Sequence, residues 1–277
     1  MDQTQSRTVV RMLDRIHADS RLNKTGFVMA APHCHPHCEL FYIENGEGSF
    51  FIDNNMYELH TGDFLFIPPQ VFHYTRYTRS ACKRSNVFFR TGDIAGDIAA
   101  AMPHGAAFFD GVRIFRVPEA YRAQFETLIS RMVREEKIDD ARTAPMMRTL
   151  LAELLLLCSR ECNFLSELPA DIHTTDLPIV RAAQFISENY AENITAADVA
   201  AVAGYSANYL TKKFREAAGI GVHEYLMFIR LQRAALELVS TDDSVTEIAL
   251  RCGFSDGNYF KDAFKKKYGV TPSKYRK

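Results

Sequence analysis

The chain has 277 residues, with 33 Lys and Arg against 34 Asp and Glu and a formal net charge of -1. A hydrophobic share of 47% suits two ordinary domain cores, and no run approaches the length of a spanning helix, which excludes an integral membrane protein. Residues 1–5 are polar and lack the form of a secretory signal, so we expect a cytoplasmic protein whose six cysteines are free thiols.

The first third of the chain changes its hydrophobic period. Residues 6–19 predict a short amphipathic helix, with Arg11 and Arg15 opposite its apolar side. From Phe27 the period becomes two and turn signals multiply. Short strands are predicted at residues 39–43, 48–52, 57–59 and 64–67. Many short strands at this spacing indicate a sandwich or barrel.

Polar side chains recur within this strand-rich region. At period two, His33, His35, His37 and Glu39 would share one strand face, and imidazoles with a carboxylate in one cavity suit a first-row metal ion. Cys34 and Cys38 would then point away from the cavity. The aromatic residues that could line it, on whichever strand face points inward, are Phe41, Tyr42, Phe50, Phe51, Tyr57 and Phe66.

Two amphipathic helices are predicted next, at residues 118–137 and 145–162. The second carries a stripe of leucines that is broader than one intramolecular seam needs, namely Leu150, Leu151, Leu154, Leu155 and Leu157. We therefore expect these helices to form a homodimer; the alternative is that they cap the barrel or the C-terminal domain of the same chain. Residues 163–177 have the composition of a linker, and another helix is predicted at 178–190. The predicted regions are 1–117 (barrel with its N-terminal helix), 118–165 (connector helices), 166–177 (linker) and 178–277 (C-terminal domain).

One pattern occurs twice in the last eighty residues, at an offset near fifty. The first copy runs from Val199-Ala200 through Ala203-Gly204-Tyr205-Ser206 to Phe214, and the second from Ile248-Ala249 through Cys252-Gly253-Phe254-Ser255 to Phe264. Such self-similarity indicates one supersecondary unit used twice.

Each copy predicts helix, tight turn, helix. The first helices have capping boxes, Thr195 with Asp198 and Ser244 with Glu247, and they end at Gly204 and Gly253. Ser206, and either Ser255 or Asp256, would cap the second helices. A long helix over residues 222–239, about 26 Å at 1.5 Å per residue, would hold the two copies near one DNA turn apart.

The outer faces of the second helices are small at their start, then amide, then cationic, which suits the major groove. The candidate DNA contacts are Ser206, Asn208, Tyr209, Thr211, Lys212 and Arg215 in the first copy, and Ser255, Asp256, Gly257, Asn258, Lys261, Asp262 and Lys265 in the second. Residues 205–277 hold thirteen Lys and Arg against eight Asp and Glu, so binding should depend strongly on salt.

Residues 194–277 resemble the DNA-binding domain of the AraC/XylS family of bacterial transcription regulators. The most specific run includes Cys252-Gly253-Phe254-Ser255-Asp256, Asn258-Tyr259-Phe260, Phe264-Lys265-Lys266, Gly269 and Thr271-Pro272-Ser273. The resemblance implies base readers at Asn208, Thr211 and Lys212 and at Gly257, Asn258, Lys261 and Asp262. Asp262 departs from the family pattern, because a carboxylate there repels phosphate unless it accepts from cytosine N4 or orients a lysine. We expect the second helix to read fewer bases than the first.

The strand-rich region resembles a cupin. His33-x-His35, Glu39 and Gly46 match the first cupin motif, and Gly62, Pro68 and His73 match the second. The resemblance implies a small β-barrel with metal ligands at His33, His35, Glu39 and His73. In AraC/XylS-family regulators a cupin-like barrel commonly binds a small molecule without metal. The same residues, with Phe41, would then contact an effector instead of a metal ion. A metal site, a metal-free pocket and a mere scaffold all stay open.

The predicted fold class is α+β, a cupin-like barrel with connector helices and an all-α domain of two helix-turn-helix units. The leading hypothesis is a sequence-specific transcription regulator, an activator, which acts as a homodimer on double-stranded promoter DNA and RNA polymerase. A small molecule in the barrel, a sugar or related metabolite, would control it with no required cofactor. The alternatives are a metal-dependent cupin oxygenase or isomerase with a regulatory DNA-binding tail, and a constitutive DNA-binding protein whose barrel only dimerises.

Overall fold

A computed structural model describes residues 15–164 and 176–276. The chain divides into an N-terminal unit of strands and helices and a helical C-terminal unit that begins at Asp176. This division confirms the predicted α+β class. Among the described residues, none of the helices has the length and apolar character needed to cross a bilayer.

Short antiparallel strands build most of the N-terminal unit. In chain order they are β1 (His17–Asn23), β2 (Phe27–Val28), β3 (Cys38–Asn45), β4 (Glu47–Ile52), β5 (Asn55–His60), β6 (Asp63–Ile67), β7 (His73–Tyr77), β8 (Cys82–Phe89), β9 (Arg113–Arg116) and β10 (Asn163–Phe164). One sheet has the order β1-β8-β3-β6-β9-β10 and the other the order β2-β7-β4-β5. The strands predicted from turn signals lie within β3, β4, β5 and β6.

Side-chain alternation along β3 separates two cores. Phe41 and Ile43 pack with residues of the second sheet such as Phe50, so they form the inner face of the barrel. Leu40 and Tyr42 face the opposite way and join a core with the helices. Cys38 belongs to that outer core, and therefore points away from the barrel interior as expected.

Two long helices cover the outer face of the larger sheet. The helices of this unit are α1 (Gly96–Ala100), α2 (Arg122–Ile138) and α3 (Thr143–Glu161). The leucines at 150, 151, 154 and 155 are at most 2% exposed and pack in the core of their own unit, with Leu157 against it. The expectation that this stripe forms a dimer interface is therefore wrong, because the sheet and α2 already cover it.

Three other local expectations fail where long-range pairing decides the conformation. Residues 17–19 of the predicted helix 6–19 belong to β1, which pairs with β8; residues 6–14 lie outside the described residues. Residues 163 and 164 of the predicted linker pair with β9, while 165–175 are also outside the described residues. The strand predicted through His33, His35 and His37 does not form, since β3 begins at Cys38.

The C-terminal unit is helical throughout its described length. Its helices are α4 (Leu177–Glu188), α5 (Ala196–Ala203), α6 (Ala207–Ala218), α7 (Val222–Ser240), α8 (Val245–Arg251), α9 (Gly257–Tyr268) and α10 (Pro272–Tyr275). Helix α7 is the predicted long connection, about 28 Å by its residue count.

The ends of the repeated helices are fixed locally, as the sequence predicts. Thr195 with Asp198, and Ser244 with Glu247, form reciprocal capping boxes. Gly204 and Gly253 have φ of 71° and 83°, the left-handed region that favours glycine. A Cβ at Gly253 would also lie 2.8 Å from the Tyr190 carbonyl oxygen, so this turn has no room for a side chain.

Candidate DNA interface and effector site

Helix α6 presents the predicted groove face to solvent. Leu210 and Phe214 are fully buried and anchor the helix against its own unit. The candidate contacts Asn208, Tyr209, Thr211, Lys212 and Arg215 are exposed. The Ser206 hydroxyl accepts from the Tyr209 amide, which makes Ser206 the N-cap.

Helix α9 repeats the same arrangement fifty residues later. Phe260 and Phe264 are fully buried, whereas Asn258, Lys261, Asp262 and Lys265 are exposed, and Gly257 is half-buried. Over the first eight positions of α6 and α9, corresponding residues are buried, half-buried or exposed to the same degree. The sequence repeat therefore places corresponding residues of the two helices on the solvent-exposed face.

The start of α9 settles an alternative that the sequence left open. Asp256, and not Ser255, is the N-cap, because its Oδ1 accepts from the amides of Asn258 at 2.7 Å and Tyr259 at 3.2 Å. The Asp256 carboxylate is therefore engaged by backbone amides at the start of α9. Ser255 is exposed beside it.

The polar groups of Arg215 and Thr211, two candidate DNA-binding residues of α6, already have contacts within the chain. Arg215 Nη2 lies 3.0 Å from Glu224 Oε2, an exposed ion pair that holds the guanidinium beside the start of α7. Thr211 Oγ1 donates to the Ala207 carbonyl at 2.8 Å, so the hydroxyl keeps its lone pairs for an incoming donor. Within the described residues, no hydrogen bond or ion pair holds the side chain of Asn208 or Lys212.

In the N-terminal unit, three of the predicted histidines meet at one point. One ring nitrogen from each of His33, His35 and His73 lies within 4.8 Å of the others. An antiparallel bridge between His33 and His73, rather than a continuous strand, brings them together. His33 is exposed, His35 half-buried and His73 buried, while His37 does not join them. We call His33, His35 and His73, with Glu39, the histidine cluster.

Glu39 supplies the negative charge of the histidine cluster. Its Oε2 lies 3.0 Å from His35 Nε2 and 3.6 Å from His73 Nε2, and the carboxylate is only 5% exposed. Burial would raise the pKa of Glu39, but the hydrogen bond and charge of His35, with the charges of His73 and Arg84, lower that pKa to about 2. The carboxylate is therefore ionised at neutral pH.

The three imidazoles differ in their protonation. Burial opposes the charge on His35, but the hydrogen bond and charge of Glu39 outweigh burial and raise the pKa of His35. Burial lowers the pKa of His73 to about 4 and also lowers the pKa of His33. These shifts favour the charged form of His35 next to Glu39 and the neutral form of His33 and His73.

Strand β8 contributes residues that the sequence reasoning missed. Asn86 Nδ2 donates to Glu39 Oε1, the Phe88 ring lies 5.5 Å from the His35 ring, and Arg84 lies over the Phe41 ring at 5.7 Å. These three residues alternate at period two along one strand, which is the signal that could have identified them. Phe41 is buried and makes an edge-to-face contact with Phe50, so it forms part of the apolar wall as predicted.

Two family models match this chain. One, described as an AraC-like ligand binding domain, matches residues 20–155, and the other, described as a helix-turn-helix domain, matches residues 199–277. The chain belongs to the AraC family. Its β-rich unit therefore corresponds to the family's ligand-binding domain, and its repeated helical unit to the family's DNA-binding domain.

Curated relatives cover most of this AraC-family chain. The HTH-type transcriptional activator RhaS of Enterobacter sp. (strain 638) is 25% identical over 246 residues, 88% of this chain and 86% of that protein. RhaR of Mannheimia succiniciproducens, also named a transcriptional activator, is 26% identical over 247 residues, with the same coverage of each chain. Among solved structures, the C-terminal domain of AraT from Geobacillus stearothermophilus is 37% identical over 35% of this chain and 80% of its own, with a TM-score of 0.34.

These matches decide between the functional hypotheses. The AraC-family chain is a DNA-binding transcription regulator with a ligand-binding domain, and the matches give no support to a cupin enzyme.

Proposed function

We propose that this AraC-family regulator activates transcription when a sugar or related hydroxylated metabolite binds at the histidine cluster. The observation that carries the proposal is Asn86 Oδ1, a buried acceptor with no hydrogen-bond partner among the described residues. A buried polar atom without a partner costs about 1–3 kcal/mol, and a ligand hydroxyl would satisfy it.

The polarity of the cluster sets the class of effector. Asn86 Oδ1 and the Glu39 carboxylate are both acceptors, so the effector must bring hydroxyl donors. The rings of Phe41 and Phe88 offer apolar surface for the C–H face of a small ring. A polyol matches both requirements, and an analogue that lacks the paired hydroxyl would leave these groups unsatisfied.

The exposed faces of α6 and α9 support the DNA half of the proposal. Neutral or amide side chains lie near each helix start, and cations such as Lys212 and Lys265 lie further along, in the order that base edges and phosphates require. We propose Asn208, Thr211 and Lys212 as the main base readers, with Asn258, Lys261 and Asp262 contributing less.

Activation adds two partners to the proposal. RNA polymerase is the proposed target, in keeping with the activator names of the relatives. The proposed homodimer must use a surface other than the leucine stripe; Met146 and Leu156 are apolar residues that α3 leaves exposed. Effector binding would bias the promoter-bound arrangement by its difference in affinity between the two states.

The effector site can be tested with a panel of neutral monosaccharides. At least one member should raise the unfolding temperature of the full chain and change its affinity for a selected operator, because binding to the folded state stabilises it. Asn86→Leu, which keeps the shape but removes the acceptor, should abolish both responses. Glu119→Gln, at an exposed carboxylate, should keep them. If no sugar produces either response in the wild type, the proposed effector class is wrong.

A divalent metal ion in the histidine cluster is a second candidate, favoured by the orientation of two rings. His35 Nδ1 lies 2.9 Å from the His37 carbonyl oxygen, and His73 Nδ1 lies 3.0 Å from that of Val71. If both Nδ1 atoms donate, the Nε2 lone pair of His73 is left for a ligand, which is the usual second contact of metal-bound histidine. His35 Nε2 donates to Glu39 and would have to release that proton when an ion binds. The residues therefore fit a first-row ion held by His33, His35, His73 and Glu39, which would supply a Lewis acid for an effector oxygen.

Metal analysis of the purified full chain tests this candidate. After dialysis against Zn²⁺ or Ni²⁺ and removal of free metal, about one equivalent per chain is expected, since a mixed imidazole and carboxylate set suits these ions. His73→Gln should lose it, and His60→Gln, at an exposed histidine outside the cluster, should keep it. If the wild type retains no more metal than His73→Gln does, the cluster does not bind a metal ion.

A further inference from the structure

A polar cleft lies on the opposite side of the larger sheet from the histidine cluster. Tyr42 and Leu40 on β3 pack in the outer core, but Glu44, the next residue on that face, does not. Between this polar end of the sheet and α2 is a cavity of about 630 Å³. That volume is within the range of small-molecule sites, about 300–1,000 Å³.

The sheet side of the cleft is a satisfied network. Glu44 Oε1 accepts from the hydroxyls of Ser20, at 3.1 Å, and Ser85, while Oε2 pairs with Lys83 Nζ at 2.5 Å. Burial would raise the pKa of Glu44, but the hydrogen bonds from Lys83 and Ser85 outweigh it and lower that pKa. The charges of Glu44 and Lys83 offset each other, and this wall offers mainly hydroxyl oxygens.

The helix side of the cleft is not satisfied in the same way. Thr127, Ser130 and Arg134 follow one side of α2 toward its C-terminal end. Glu126 also lines the cleft and is half-buried, but no hydrogen bond or ion pair joins it to any other described residue. Arg134 is eight residues further on, about 12 Å along the helix. The charge of Lys83 also acts on Glu126, but the ion pair of Lys83 is with Glu44.

A second unpartnered group lies behind the cleft wall, in the outer core, where the charge of Glu126 still acts on it. The Tyr42 hydroxyl is buried and has no hydrogen-bond partner among the described residues. Burial, followed by the charge of Glu126, raises the pKa of Tyr42, so the hydroxyl keeps its proton next to that carboxylate. Of the two, Glu126 lines the cleft and is the group that a ligand there could reach.

We propose that this cleft is a second small-molecule site, distinct from the histidine cluster, which takes an amine-bearing polyol such as an amino sugar. The ammonium group would pair with Glu126, the one carboxylate lining the cleft that forms no ion pair with a described residue. The hydroxyl groups of the ligand would donate to the oxygens of Ser20, Ser85 and Thr127, whose own protons are already given to Glu44 and to the Ala123 carbonyl. Ser130 could both donate and accept. The same regulator would then respond to an aminated metabolite as a second ligand.

Calorimetric titration of the full chain with D-glucosamine tests the proposal. Saturable binding with a Kd of about 1 mM or tighter is expected, and Glu126→Gln should weaken it about tenfold, since a charged hydrogen bond contributes roughly 1.5 kcal/mol. D-glucose and N-acetylglucosamine, which lack the charge, should bind about tenfold more weakly than glucosamine. Glu135→Gln, a carboxylate on the same helix that does not line the cleft, should leave the affinity unchanged.

The histidine cluster supplies the control that separates the two sites. Asn86→Leu should leave glucosamine binding unchanged; if it removes that binding while Glu126→Gln does not, glucosamine binds at the histidine cluster and the second site is refuted. Absence of saturable glucosamine binding to the wild type would also overturn the proposal. Neither result depends on whether neutral sugars bind at the histidine cluster.

Discussion

Replacement of Asn208 by alanine is expected to cost about 1–3 kcal/mol of specific DNA binding and to remove discrimination at one base pair. Asn208 is exposed near the start of α6, where a recognition helix contacts base edges, and its amide can donate and accept at once. The measurement is a competition titration of a selected operator and its single-base variants at fixed salt. Wild-type protein should separate the variants, and Asn208→Ala should bind all four bases at that position alike.

Lys265→Ala is the matched comparison, because it removes a phosphate contact instead of a base contact. Lys265 is exposed on the last part of α9, so its loss should weaken all DNA sequences similarly and lower the slope of log affinity against log salt by about 1. If neither variant changes DNA binding, the assignment of the exposed faces as groove faces is wrong.

Replacement of Phe264 by alanine is expected to destabilise the C-terminal unit by about 3–5 kcal/mol. The ring is fully buried and lies 5.5 Å from Phe260, 4.5 Å from Tyr268 and 5.3 Å from Tyr275. Removing it opens a cavity lined by these three aromatic rings, and the cost of such a cavity adds to the lost burial of the ring. Urea unfolding of the full chain, followed by the helical circular dichroism signal, measures the loss.

The neighbouring residue provides the control for Phe264→Ala. Lys265→Ala changes an exposed side chain, so its effect on the free energy of unfolding should stay within about 0.5 kcal/mol. DNA binding should fail in Phe264→Ala because α9 loses its anchor. A loss of stability below about 1 kcal/mol would show that this aromatic cluster does not hold α9 in place.

The sequence predicts the C-terminal unit well because its signals are local. A capping box such as Thr195 with Asp198 spans four residues, and a helix end at Gly204 needs only one left-handed residue. The choice between Ser255 and Asp256 as N-cap could not be made this way, since both residues suit the position. Backbone geometry settles it for Asp256.

The N-terminal unit is less predictable because its partners are distant in sequence. Residues 17–19 have an apolar pattern that suits a helix, but pairing with β8, almost seventy residues away, makes them a strand. The histidines do come together, through the bridge from His33 to His73 and not through the regular alternation that predicted it. Leu150 and Leu154 look like a surface for another molecule until the sheet that covers them is known.

The two exposed helices have separate anchors. Phe214 packs against Tyr225 near the start of α7, whereas Phe264 packs against Tyr268 and Tyr275 at the end of the chain. Substitutions on distant, independent surfaces usually add in free energy. Substitutions on one exposed helix can therefore change its DNA preference while the other helix still binds the existing promoters. New regulatory connections are expected to arise through one half-site at a time.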